Sequence, residues 1–243
     1  MSSQTANIKI NPKKILIALL TMVLIIVGLS IYGQKVRFFG VADIRGPWHE
    51  FLLDQLMQNF FLDAEGNITT FINALLLFIP SLLLIVISIW KFSAKDKFRF
   101  HWIGLAMIFF FLSIDEAAVI HESMIKPMRA IVGSDGVFYF AWIIPGMIIV
   151  SAFGLVYLMF FLHLENKFKI LFMLSLGVYI CGVIGGEMIS GYFAANLGLK
   201  NFTYTIVASF EESIEYIGCS LIIYSLLKYI EHYLPEGIIF KAS

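Results

Sequence analysis

Seven acidic residues lie in stretches that are otherwise apolar: Asp115, Glu116 and Glu122 in one, Glu187 in another, and Glu211, Glu212 and Glu215 in a third. The same stretches contain no Lys or Arg, and their one histidine is His121. An uncompensated carboxylate in hydrocarbon costs at least about 2.5 kcal/mol, so this many acids need protons, a bound cation or a basic partner. Arg45, Lys126 and Arg129 flank the stretches and are the candidate basic partners.

Carboxylates plus imidazole on facing helices are the donor set of di-iron and di-manganese bundles. In that reading His121, Glu122, Glu187, Glu212 and Glu215 ligate one or two divalent ions, and His49 supplies a second imidazole. Asp115, Glu116 and Glu211 orient the ligands or carry protons. Such a donor set favours iron or manganese over zinc or calcium. Ferritin-like proteins use Glu-x-x-His twice, whereas this chain has Glu212-Ser-Ile-Glu215 and no Glu-x-x-His. A lipid or another hydrophobic molecule is the substrate expected at such a site. The competing readings are a proton- or cation-coupled transporter, and a structural subunit whose acids form a protonated network.

The elements that position these acids follow from composition. The chain has 243 residues, 60% of them hydrophobic and 14% charged, with a mean hydropathy of +0.88. Soluble domains are about half apolar and a quarter charged. With 17 basic and 17 acidic residues, no nucleic-acid partner is implied. About 20 apolar residues cross a bilayer as helix, and six stretches qualify: 15–33, 70–90, 102–122, 138–162, 170–192 and 204–226. The expected fold is an all-α integral membrane protein, a single domain over 1–243. Lys9, Lys13 and Lys14 precede the first stretch, which reads as an uncleaved helix rather than a signal peptide. Lys91, Lys95, Lys97, Arg99, Lys167, Lys169, Lys228 and Lys241 fall on the same side as that first lysine group. The positive-inside rule then makes both termini cytoplasmic, in a bacterial inner membrane, and puts the acids in the outer half of the bilayer.

Between the first two stretches, Pro47 to Leu62 reads as an amphipathic helix lying in the interface, with Glu50 and Asp54 on its wet face. Glu211, Glu212 and Glu215 share about 100° of helical arc, and Asp115 and Glu122, seven apart, share a face with His121 at its edge. Gly182 and Gly186 form a small-xxx-small pair for close helix approach. Trp48, Trp90, Trp102 and Trp142 are expected as interfacial anchors, Pro80 and Pro145 as kinks, and Cys181 and Cys219 as small buried residues. His101 and His163, at neighbouring span ends, are the remaining pair that could bind a haem. Asn67-Ile-Thr and Asn201-Phe-Thr match the glycosylation pattern. Membrane lipid is the expected partner, together with further copies of the chain or other subunits.

Overall fold

The computed structural model describes residues 10–40, 46–133 and 135–235. Every regular element among them is helical: α1 (Pro12–Phe39), α2 (Pro47–Asn59), α3 (Ile68–Ser93), α4 (Arg99–Ala118), α5 (Ile120–Ser123), α6 (Ile125–Val132), a 3-10 turn (Gly136–Phe138), α7 (Ile143–His163), α8 (Asn166–Ile180), a π-helical turn (Cys181–Gly186), α9 (Glu187–Leu197) and α10 (Phe202–Tyr233). Five helical segments are long and apolar enough to cross a membrane: α1, α3, α4, α7 and the continuous run Asn166–Leu197. The sixth stretch is α10, which is not among those five.

Three of the long helices start on an asparagine. Asn11, Asn67 and Asn201 each accept, through the side-chain oxygen, a backbone N–H of the first turn, from Lys14, Thr70 and Thr203 respectively. Such caps satisfy donors that the helix cannot. Two of them are the Asn-x-Thr tripeptides, so this pattern marks helix starts here. The Asn67 amide nitrogen also donates to the Phe61 carbonyl at 2.8 Å.

α10 is the axis of the molecule. It packs against α1, α3, α8, the π-helical turn and α9, while α3 and α4 run together along their length. Trp102, Phe168, Leu77, Leu84, Ile87, Tyr216 and Ile223 fill the interior. The outward sides of α1 and α7 are apolar and exposed, with Leu24 73% and Leu155 75% accessible; such surface suits lipid rather than water.

Several expectations change. Trp102 is not an interfacial anchor: it is 1% exposed and packs on Phe160 and Tyr229. Pro145 is the third residue of α7, because that helix starts five residues later than hydropathy suggests. In a first turn the missing N–H breaks no helical bond, so no kink follows from it. Pro80 does lie within α3. Cys219 is buried, but Cys181 is exposed. His101 stacks on Phe160 and His163 sits against Phe98, an aromatic packing role. Arg45, Lys9 and Lys241 lie outside the described residues.

Candidate functional site

The α10 acids are held against a helix stripped of side chains. A methyl group built on Gly182 comes within 2.7 Å of Glu215 Cγ, and one on Gly186 within 2.8 Å of Glu211 Cγ. Only hydrogen at these two positions lets the backbone approach the glutamates so closely. Both glycines belong to the π-helical turn, a local widening often found at functional sites. Glu187 follows it as the first residue of α9. Of the three α10 acids, Glu211 is buried, and Glu212 and Glu215 are half-buried.

Glu187 accepts the indole N–H of Trp142 at 2.7 Å. The Trp142 ring lies 4.8 Å from that of His121. His121 pairs in turn with Asp115, its Nδ1 2.9 Å from Oδ2 while its backbone N–H donates to Oδ1, also at 2.9 Å. A chain of side chains therefore links the end of α4, α5, the start of α7 and α9. Sequence reasoning put Trp142 at a membrane surface; its N–H on Glu187 places it among the site residues.

The His121–Asp115 pair depends on a break in the helix. α4 ends at Ala118, and Val119 takes the left-handed conformation at φ 56°, which costs a β-branched residue about 1–2 kcal/mol. The turn folds His121 back over Asp115. Asp115 and Glu122 therefore do not share one helical face, contrary to the seven-residue spacing, and Glu122 is exposed. Beyond the end of α4, burial pushes the His121 imidazole down, but the hydrogen bond and charge of Asp115 outweigh it and raise its pKa.

On the opposite side, Asn73 of α3 is 1% exposed. Its amide borders the carboxylates of both Glu116 and Glu215, close enough to favour their charged forms, though without well-aligned hydrogen bonds. Buried polar groups are rarely left unpaired. Nothing in its context (IN73A within an apolar run) singles it out in the sequence. Nearby, Tyr204 donates to Asp63 at 3.0 Å. In this loop, burial pushes the Asp63 carboxyl up to about 7, against the lowering effect of that bond and with the help of the Glu122 charge.

His49 is exposed on α2. Arg129 does not reach the acids as an ion-pair partner: its Nε and Nη2 donate to the Tyr139 carbonyl at 3.0 and 2.8 Å. Among the described residues, the Lys and Arg ion pairs are Lys91–Asp96, Lys167–Glu165 and Lys228–Glu231; none involves Asp115, Glu116, Glu187, Glu211, Glu212 or Glu215. Also among the described residues, no three His, Cys, Asp or Glu side chains converge as a ready-made metal set.

No curated protein and no solved structure matches the chain. A family model matches residues 15–229, and the chain belongs to that family, described as Domain of unknown function (DUF8692).

Proposed function

We propose that Glu116, Glu187, Glu211, Glu212 and Glu215, with the Asp115–His121 pair, act as one carboxylate cluster in the membrane. In this reading it holds one or two divalent metal ions and serves an enzyme acting on a lipid or other hydrophobic substrate. α10 is the sixth span and α2 lies in the interface. The termini are cytoplasmic, in an inner membrane, which puts the cluster in the outer half of the bilayer.

The observation that carries the reading is Asn73. Its buried amide borders the carboxylates of both Glu116 and Glu215, so acids of α4 and α10 meet at one point of α3, where no described Lys or Arg pairs with them. Carboxylate and amide oxygens are hard donors for divalent cations. Gly182 and Gly186 leave room for the glutamates to close on an ion by side-chain rotation. Glu187, Glu212 and Glu215 are the holding residues. With its Nδ1 on Asp115, His121 keeps Nε2 for ligation or proton carriage. Glu116 and Glu211 hold and move protons, and Trp142 fixes the Glu187 carboxylate. A bound metal supplies Lewis acidity or activated water. The exposed Glu122 and His49 are left out of the ligand set.

Elemental analysis of protein purified without chelators tests this. Wild type carries one to two equivalents of iron or manganese, and a Glu212→Ala/Glu215→Ala variant carries none. Wild type without stoichiometric metal overturns it.

The absence, among the described residues, of three converging donors favours a second reading, in which the acids hold protons and pass protons or other cations. Flux into liposomes that disappears in Glu187→Gln is its signature.

A further inference from the structure

The end of the bundle where α3 leads into α4 carries a different constellation. Lys91 Nζ lies 2.8 Å from Asp96 Oδ2, with the two side chains only 13% and 20% exposed. Asp96 Oδ1 accepts the Phe98 N–H at 2.7 Å. Burial alone pushes the Asp96 carboxyl up, but the bonds from Lys91 and Phe98 outweigh it and hold it below the usual carboxylate range, so the pair stays ionic. The ammonium is also boxed by rings, 4.5 Å from the Trp90 centroid, 5.6 Å from Tyr233 and 5.8 Å from Tyr229. One of its three N–H groups serves Asp96, leaving donors for a ligand.

Lys91, Asp96, Tyr229 and Tyr233 line a cavity of about 240 Å³, whose other polar walls are His163 and Glu165. A second, smaller cavity of about 60 Å³ is lined only by apolar and aromatic residues such as Leu84, Leu105, Phe109, Phe153 and Ile222. Trp102, Phe160 and Leu164 belong to both walls, so the two spaces are adjacent. A polar chamber bearing both signs of charge thus adjoins a small apolar one. That is the outline of an amphiphile with a two-charge head.

We propose that this end of the molecule binds one zwitterionic phospholipid. Its phosphate takes the free donors of Lys91 and His163, and its ammonium meets Asp96 and the faces of Tyr229 and Tyr233, while Glu165 stays paired with Lys167. The first methylenes of one acyl chain enter the apolar cavity beside Trp102. The Asp96 carboxylate disfavours a head carrying only negative charge. This site is lined by none of the acids assigned above and does not depend on their function.

The test uses the full chain, stripped of lipid in detergent and followed by native mass spectrometry. The probes are dihexanoyl phosphatidylethanolamine, dihexanoyl phosphatidylglycerol and free phosphoethanolamine. One phosphatidylethanolamine per chain binds at least about tenfold more tightly than either other probe, a gap of about 1.4 kcal/mol. Lys91→Gln weakens it at least about tenfold. Leu105→Trp, which narrows the apolar cavity without touching a polar group, does the same, so misfolding of one variant leaves the other decisive. Equal retention of both lipids means an unspecific lipid coat and overturns the proposal. Free phosphoethanolamine held as tightly as the lipid removes the acyl-chain role and overturns it too, as does unchanged affinity in the variants.

Discussion

Asn73 and Gln34 are both fully buried; the Gln34 amide has no partner, whereas that of Asn73 borders the carboxylates of Glu116 and Glu215. An unpaired buried amide costs about 1–3 kcal/mol, so removing it ought to stabilise the fold. Gln34→Met therefore raises the melting temperature in detergent and leaves metal content unchanged. Asn73→Leu lowers the metal content, because that amide stands next to Glu116 and Glu215. Equal metal in both variants removes the role assigned to Asn73. Two titrating groups behave differently. Asp63, with its carboxyl raised from 3.8 to about 7, keeps a proton that the unfolded chain has released. Stability from this group accordingly falls as pH rises from about 4 to about 7, by about 1.4 kcal/mol per unit at most. Asp63→Asn retains the acceptor for Tyr204 and flattens this slope, so melts at pH 5 and pH 8 differ less than in wild type. His121 has a raised pKa; its pairing energy is fully present below its unfolded value near 6.5 and is lost as pH rises through the folded one. In Asp115→Asn the imidazole midpoint, read by NMR of labelled histidine, moves down.

At the scale of elements, the glycines separate close approach from mere flexibility. Gly218 sits against the Tyr179 backbone, where an added methyl would come within 2.5 Å of Cα, whereas Gly154 on α7 has nothing within 4 Å. Gly218→Ala and Gly182→Ala lose about 1–3 kcal/mol each by overpacking. Gly154→Ala gains up to about 1 kcal/mol from helix propensity, as chemical denaturation in mixed micelles can register. The small-xxx-small spacing of Gly182 and Gly186 was legible in the sequence because it encodes a packing distance. The break at Val119 was not. A β-branched residue in the left-handed region has no sequence signal, and the run IDEAAVIHE continues a helical pattern straight through it. The break alone turns His121 onto Asp115 and leaves Glu122 exposed, so helical-wheel geometry failed there. Trp142 was missed for a related reason: a tryptophan at a span end has an interfacial role by default, and its bond to Glu187 comes from a helix 45 residues away.

For the whole molecule, hydropathy located the long helices well, since each must present about 20 apolar residues to lipid. α1, α3 and α7 overlap the expected stretches, and 170–192 falls within the run Asn166–Leu197. Composition did not reveal that α10 is the central helix against which most others pack. Its four glutamates lower its hydropathy, while half of its residues are buried. The proposed function requires acids from separate helices to share one positive ion. Manganese binding followed by loss of the free-ion electron paramagnetic resonance signal measures that sharing directly, in wild type and in Glu187→Gln. Wild type titrates to one or two ions per chain, and removal of a single charge on α9 weakens that binding at least about tenfold, although most of the ligating carboxylates lie on α10. Identical titrations of the two proteins would contradict the claim.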